Sequence, residues 1–395
     1  MNTVRPIEAR PHAGPWARRL AWSFAVLGLV GLLAACQATT EEVLKVEEKL
    51  PVPAQETVGA GPTMIALILP RNGAEPAAGR ARDYFEGGRL AVNDLGGGAI
   101  RLTAYETGGD PANARFMAGQ AIAAGAKLIV GPTDTASLAQ VATISAKARP
   151  PIVALTETGG GNGIFAFRSD MVDSALEGVR ASVAAGQGQV LALLPEGFAE
   201  VDRARFTSGV ARLKGKLVGV VTYPREAAAI APALKAQQPL FAKAATVVIF
   251  GNDTAPAVVA RTIVTGGLGS TITTLVGTSA WPREVYADTM LDGALVALPD
   301  QDRLLQISSR YAASAGRPLS IEAAIGYDAV AVAAGLVRAD GADAITVKAL
   351  TADSGFRGAM GLFRLRRDGT VERRHTIYRI EQGKLAVLQG QGEGF

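Results

Sequence analysis

The sequence of 395 residues contains a single cysteine, Cys36, and only two histidines. With no second cysteine to form a disulfide, the fold must be held by its hydrophobic core. Hydrolytic triads need a histidine beside the nucleophile, and zinc sites need several His, Cys or acidic ligands. Beyond the first 36 residues only His375 remains, in an Arg-Arg-His segment that predicts an exposed strand. These shortages predict a protein that is not an enzyme, with no catalytic residues, metal or cofactor.

The first 36 residues have the order of a secretory signal. Four arginines and one acid precede an apolar stretch of sixteen residues, Leu20–Ala35, and Cys36 follows directly. The ending Leu33-Ala34-Ala35-Cys36 resembles the bacterial lipobox, whose cysteine is acylated and becomes the mature N-terminus. The alternative is an uncleaved anchor, but a bilayer span needs roughly 20 residues. We therefore predict a lipoprotein signal peptide over residues 1–35 and lipid attachment at Cys36.

The charge of the mature chain excludes one class of partner. Without the four bases and one acid of the leader, the 40 basic and 36 acidic residues become 36 and 35. A near-neutral chain gives no electrostatic case for nucleic acid. The expected location is the bacterial cell envelope, facing the periplasm and held on a membrane by the N-terminal lipid. Gln37 replaces the aspartate often linked with inner-membrane retention, which slightly favours the outer membrane.

A short segment of different character follows the cysteine. Residues 36–62 carry clustered acids and then several prolines and glycines, which is typical of a flexible tether. The remaining residues, 63–395, are too many for one simple core and suit two lobes.

This remainder alternates buried strands with amphipathic helices. Met64–Leu69 is a continuous apolar run, as expected of a strand covered on both faces. The first series of predicted elements is helix Ala78–Leu95, strand Ile100–Tyr105, helix Ala112–Ala124, strand Lys127–Val130, helix Ala136–Ala148 and strand Ile152–Leu155. The second is strand Gln189–Leu194, helix Asp202–Leu213, strand Leu217–Val221, helix Pro232–Ala242, strand Ala245–Phe250, helix Ala255–Thr265 and strand Thr273–Val276. The pattern predicts an α/β protein with two doubly wound parallel-sheet lobes.

Several stretches resemble the type I periplasmic binding fold, in its leucine-binding-protein branch. They are Leu69-Pro-Arg-Asn-Gly73, Leu128-Ile-Val-Gly-Pro132, Ala324-Ile-Gly-Tyr-Asp-Ala-Val330 and Phe356–Arg364 with Asp368-Gly369. Together with the lipobox and Tyr105-Glu-Thr-Gly-Gly109, they look closest to envelope lipoproteins described as penicillin-binding protein activators. The resemblance implies three crossover segments, expected near Arg168–Val172, Gly293–Pro299 and Thr351–Gly355. Lobe 1 would then hold residues 63–170 and 297–350, and lobe 2 residues 171–296 and 351–395.

Hydroxyl groups cluster after two neighbouring strands of the first lobe. Thr135 and Ser137 open a helix, where hydroxyls and free N–H groups bind a carboxylate well. The alternative is that Asp134 or Thr135 merely caps that helix. Thr156, Glu157 and Thr158 follow the next strand at the same sheet edge. The resemblance implies that these two loops hold the backbone end of an amino acid, with Asn72 in the adjoining loop.

The second lobe departs from the family pattern. Phe198 stands where the family often has a tyrosine, and Asp253 ends the Gly-Asn-Asp loop after another strand. The loop with Ser279 and Trp281 lacks the acid that commonly meets a ligand ammonium. Glu157 or Asp253 would have to replace it, because an unpaired ammonium in a closed cleft is costly. Trp281 is either a stacking wall or local core.

Two functions remain open. The first is a lipoprotein that closes on a small polar, amino-acid-like solute for transport or sensing, with an ABC permease as possible partner. The second is a penicillin-binding protein activator that contacts a peptidoglycan synthase and retains a vestigial cleft. The arginines between Arg364 and Arg379 predict a solvated strand face, with docking to an acidic partner or lipid headgroups as an alternative. The Gly159–Gly163 run precedes a strand, so it predicts a loop and not a nucleotide site.

Overall fold

The computed structural model describes residues 54–168, 170–392 and 394–395. The predicted signal peptide and Cys36 lie outside these residues. Six strands form the first sheet: β1 (Gln55–Val58), β2 (Thr63–Leu69), β3 (Ile100–Glu106), β4 (Leu128–Val130), β5 (Ile152–Ala154) and β6 (Ile164–Ala166). Their order is β1-β3-β2-β4-β5-β6, and all pairs are parallel except β1 with β3. All seven residues of β2 are buried, because helices cover both faces of the sheet.

Helices from two distant parts of the chain cover the first sheet. They are α1 (Ala77–Ala91, continued by a π turn over Val92–Gly96), α2 (Pro111–Ala123), α3 (Thr135–Ala142), α9 (Gln301–Ala315), α10 (Ile321–Asp340) and the short α11 (Val347–Leu350). Residues of α1 and α10 share one core with the sheet, and residues of α2 and α3 share another. The first lobe is therefore a three-layer sandwich.

Glycines allow α1 and α10 to touch along their backbones. A Cβ atom on Gly87 would lie 1.8 Å from the Ala323 carbonyl oxygen, and one on Gly326 would lie 2.2 Å from the Tyr84 carbonyl oxygen. Any side chain at either position would push the helices apart. The Gly326 of the Ala-Ile-Gly-Tyr-Asp stretch is thus a packing requirement.

The second lobe repeats the same construction. Its strands are β7 (Gln189–Pro195), β8 (Lys216–Tyr223), β9 (Thr246–Ile249), β10 (Thr274–Val276), β11 (Leu295–Leu298), β15 (Thr376–Glu381) and β16 (Lys384–Gln389). The order is β16-β15-β11-β10-β9-β7-β8, with β15 and β16 antiparallel to their neighbours. The helices are α4 (Met171–Ala184), α5 (Glu200–Arg212), α6 (Ala227–Lys235), α7 (Gln238–Phe241) and α8 (Ala255–Thr265). The predicted two-lobed α/β architecture is confirmed.

A small antiparallel sheet changes the expected lobe boundaries. It consists of β12 (Phe356–Gly358), β13 (Gly361–Leu365) and β14 (Val371–Arg374). Phe363 and Leu365 pack in the core of the first lobe, although the sequence analysis assigned 351–395 to the second. The chain passes between the lobes after β6 and before α4, at 299–300 and at His375. The third crossing therefore lies about twenty residues beyond the predicted Thr351–Gly355.

Two further predictions need correction. Residues 36–62 were predicted to be tether, but Gln55–Val58 forms β1 and pairs along β3. This strand is also tied by Glu56, which pairs with the buried Arg71 at 2.6 Å. The helix predicted over Pro232–Ala242 is two helices, α6 and α7, and the second begins around Pro239. Proline cannot donate the helical hydrogen bond and clashes with the preceding turn, so the first helix ends at Lys235.

Candidate functional site

The loop after β4 places two predicted residues at the carboxyl edge of the first sheet. Gly131 has φ of 98°, and a Cβ atom there would lie 2.4 Å from the Ile68 carbonyl oxygen, so only glycine fits. Asp134 caps α3 by accepting a hydrogen bond from the Ser137 N–H at 2.8 Å. Thr135 is exposed, and no hydrogen bond among the described residues engages its hydroxyl. Asp134 is therefore the cap, which leaves Thr135 available to a ligand.

The loop after β5 is held from within. Thr156 is buried, and its hydroxyl donates to the Thr158 carbonyl oxygen at 2.8 Å. Thr158 itself is half-buried at the same sheet edge. The structure thus gives Thr156 a role in shaping the loop and leaves Thr158 partly exposed. Ser137, in the first turn of α3, is buried.

Asn72 and Glu157 complete the predicted set in the first lobe. Asn72 is exposed in the loop after β2. Its neighbour Arg71 is buried and held by Glu56 and Glu106, at 2.6 and 3.5 Å, so this arginine serves the lobe's own packing. Glu157 pairs with Arg168 at 2.7 Å, and both side chains are about one-third exposed (34%). Glu157 is therefore already engaged with a cation at the first crossing.

The predicted residues of the second lobe divide between surface and core. Phe198 is half-buried and packs edge-on against Phe250 with ring centroids 4.9 Å apart. Asp253 is exposed and accepts the Ala255 N–H at 2.9 Å, at the start of α8. Ser279 is exposed, and its N–H donates to the Ser174 hydroxyl at 2.9 Å.

Trp281 belongs to the core of the second lobe. Its indole N–H donates to the Ile249 carbonyl oxygen at 3.0 Å, and only 3% of the residue is exposed. The ring lies against Gly277, where a Cβ atom would come within 2.7 Å of it. Of the two alternatives, local core is the one observed. We withdraw Trp281 from the candidate ligand contacts, since a buried ring cannot line the cleft.

An acidic cluster that the sequence analysis missed lies at the first crossing. Arg205 of α5 contacts three carboxylates, those of Asp170 at 2.5 Å, Asp202 at 3.0 Å and Asp173 at 3.4 Å. Burial and the neighbouring Asp170 raise the pKa of both Asp173 and Asp202, and Glu157 adds to the rise at Asp202. Three carboxylates around one guanidinium leave negative charge to spare. The cluster can therefore bind a cationic group.

A capping pattern was the available signal for this cluster. Asp170 accepts the N–H groups of Val172 and Asp173, and the Asp173 side chain accepts the Asp170 N–H. Asp-x-x-Asp ahead of an apolar helix is a capping box, which the sequence displays. The contribution of Asp202 and Arg205 depends on the packing of α5 against α4 and has no local signature.

The third crossing buries charges that were predicted to be solvated. Arg373 is 4% exposed and His375 is 2% exposed, so neither lies on an open strand face. Arg373 donates to the Phe167 carbonyl oxygen at 2.6 Å and lies against the rings of Phe167 and Phe363. Burial, and then the Arg373 charge, lower the pKa of His375 to about 3, so this imidazole is neutral. The prediction of an exposed His375 is wrong because this residue joins β14 of the small sheet to β15 of the second sheet, where the chain is buried.

The fold and the sequence together identify the family. The chain belongs to the periplasmic binding protein family, which matches residues 62–384. This finding confirms the resemblance drawn from the motifs. Among curated proteins, none matches the chain. Among the described residues, no helix is long and apolar enough to cross a membrane.

Solved structures with the same fold are ABC transporter binding proteins. A branched-chain amino acid ABC transporter periplasmic ligand-binding protein from Burkholderia xenovorans is 16% identical, with a TM-score of 0.57, 82% of this chain covered and 94% of that one. An ABC transporter substrate-binding protein from Sphaerobacter thermophilus is 18% identical, with a TM-score of 0.56 and coverage of 83% and 96%. An ABC transporter solute-binding protein from R. palustris in complex with benzoate is 18% identical, with a TM-score of 0.51 and coverage of 85% and 98%. Such identities establish the fold alone.

Proposed function

We propose that the protein is a non-catalytic envelope lipoprotein whose two lobes close on a small, amino-acid-like solute for transport or sensing. The observation that carries the proposal is the pairing of two unlike groups near the first crossing. The free hydroxyl of Thr135 and the Thr158 loop suit a carboxylate, and the acidic cluster around Asp202 suits an ammonium. Glu157, whose charge acts on Asp202, links the two.

The acidic cluster replaces the ammonium-binding acid that the second lobe lacks. Asp253 accepts the Ala255 N–H and lies 3.9 Å from Arg225, and Glu157 is paired with Arg168. Asp170 and Asp202 share a single arginine, so they retain negative charge for a cationic ligand group. The similar proteins support a carboxylate ligand, since one is a branched-chain amino acid ABC transporter's ligand-binding protein and another is in complex with benzoate.

Substitutions in the two hydroxyl loops will test the site. Thr135→Ala or Thr158→Ala removes a charge-assisted hydrogen bond to the ligand carboxylate, worth about 1.5–3 kcal/mol. We expect the affinity for the best ligand in a panel of amino acids to fall roughly 10- to 150-fold, measured by calorimetry. Thr143→Ala is the matched control, because the Thr143 hydroxyl is exposed and donates only within its own helix end.

Melting curves with a ligand panel distinguish solute binding from the alternative function as a penicillin-binding protein activator. If no amino acid or aromatic carboxylate raises the melting temperature, and the double variant at Thr135 and Thr158 keeps full activity in cells, the solute-binding proposal fails. The protein would then act through contacts with a partner such as a peptidoglycan synthase. A bound ligand at 100 times its dissociation constant adds roughly 2.7 kcal/mol of stability, which a melting curve detects.

The anchoring proposal has its own test. Cys36→Ala removes the only thiol of the chain, so we expect no fatty-acid labelling and a shift from the detergent phase to the aqueous phase. Unchanged labelling of the variant would show that the lipid is attached elsewhere or that the anchor is a different one. Fractionation of the unaltered protein between inner and outer membranes tests the expected outer-membrane location.

A further inference from the structure

A cavity lies between the small antiparallel sheet and the second lobe. It has a volume of about 430 Å³, which lies within the usual range for small-molecule sites. On one side are α4 and α5, and on the other is the β13–β14 hairpin. Five arginines and four acids line it: Arg212, Arg364, Arg366, Arg373, Arg374, Asp173, Glu177, Asp368 and Glu372. A group bound here would contact elements of both lobes.

Arg373 is a buried cation that no carboxylate of the described residues pairs with directly. Its Nη2 donates to the Phe167 carbonyl oxygen, but Nε and Nη1 have no hydrogen-bond partner among the described residues. The nearest acids have other partners. Asp328 accepts the N–H groups of Ala359 and Met360, and Asp173 accepts from Asp170 and Arg205. Asp328 and Asp173 act on Arg373 only through their charge, so among the described residues this arginine has two buried donors and no directly bonded anion.

The arginines at the rim also have donors to spare. Arg364, Arg366 and Arg374 converge on the single carboxylate of Glu372, at 2.8, 3.1 and 3.5 Å. Only Arg374 has a second acid, Glu177 at 3.1 Å. Each guanidinium carries five N–H donors, and its planar fork matches the oxygens of a phosphate or carboxylate. Arg212 faces this group from α5, close enough for its charge to act on Asp368.

We propose that this cavity binds a small oxyanion, a phosphate or carboxylate group, between Arg373 and the rim arginines. The anion would supply the counterion that Arg373 lacks and would share the surplus donors around Glu372. The cavity shares Asp173 with the acidic cluster, but none of the hydroxyl-bearing residues of the proposed amino-acid cleft lines it.

Thermal melting of the full chain with inorganic phosphate, pyrophosphate or citrate, against chloride at equal ionic strength, tests the proposal. We expect at least one of these oxyanions to raise the melting temperature by several degrees. Stabilisation by the phosphates alone assigns a phosphate ligand, and stabilisation by citrate alone assigns a carboxylate. Arg212→Gln and Arg366→Gln should each lower the affinity about tenfold or more, because each removes a charge-assisted contact.

Two variants control for general charge effects. Arg379→Gln removes an arginine of β15 that is 44% exposed and lies outside the cavity lining, so it should leave oxyanion binding unchanged. Thr143→Ala, which removes an exposed hydroxyl at the end of α3, should leave it unchanged as well. Arg373→Met should abolish binding; if that variant does not fold, Arg212→Gln and Arg366→Gln decide. The proposal is overturned if none of the three oxyanions binds, or if binding survives both rim substitutions.

Discussion

Replacing Asp328 by alanine is expected to lower the free energy of unfolding by about 3–5 kcal/mol. Asp328 lies fully buried in α10, and its two carboxylate oxygens accept the N–H groups of Ala359 and Met360 at 2.5 and 2.9 Å. Alanine would leave both buried donors without an acceptor, at about 1–3 kcal/mol each. It would also remove the carboxylate that most strongly offsets the buried Arg373 charge.

Urea titration of the variant and the unaltered protein measures this loss. Asp340→Ala is the matched control: Asp340 ends the same helix but is exposed, so we expect a change within about 0.5 kcal/mol. Asp328→Asn should fall between the two, since the amide keeps one acceptor oxygen. A loss below about 1 kcal/mol for Asp328→Ala would mean that Asp328 does not hold the β12–β13 turn.

Acid is expected to destabilise the protein through His375. The folded pKa of about 3 lies below the unfolded value near 6.5, so the unfolded chain binds the extra proton between these limits. Stability from the neutral imidazole is complete above pH 6.5 and is lost as the pH falls, by about 1.4 kcal/mol per pH unit. The full window corresponds to roughly 5 kcal/mol.

Comparison with His375→Leu isolates this effect. Burial raises the pKa of Asp328 to about 6, which favours folding at low pH, but that contribution is present in both proteins. The difference in unfolding free energy between the two proteins should therefore change with pH from 6.5 toward 4, with the histidine protein losing more. If the unfolding free energies of the two proteins change with pH in parallel, His375 takes up its proton as readily in the folded state as in the unfolded chain. The predicted exposure of His375 implied that its removal would leave the stability unchanged. Because His375 is buried, we expect its removal to change the stability.

Local patterns predicted most of the two sheets, because their strands are buried on both faces. Met64–Leu69 and Val190–Leu194 are apolar throughout, and such runs predict buried strands without knowledge of their neighbours. The hydroxyl loops could be located for the same reason, since the carboxyl ends of parallel strands share one sheet edge.

The errors fall where distant segments decide burial. Arg373 lies between two rings and donates to a carbonyl 206 residues earlier in the chain, so its charged surroundings in sequence indicated the opposite environment. Trp281 is buried by its fit against Gly277 and Ile249, which only the folded second lobe supplies. The strand β1 was hidden in a proline-rich stretch because its partner, β3, lies more than forty residues away.

The way in which the two lobes share the chain has a consequence for the order of folding during synthesis. Strand β2 near the start packs in one core with α10, and β11 pairs with β15 close to the end. The core of the first lobe includes residues of β13, which ends at Leu365, and that of the second includes Ile380 of β15, so each is completed only by segments late in the chain. Contacts between such distant segments slow folding. During synthesis the first lobe therefore stays incomplete until β13 has been made, and its unfinished core exposes apolar surface until then.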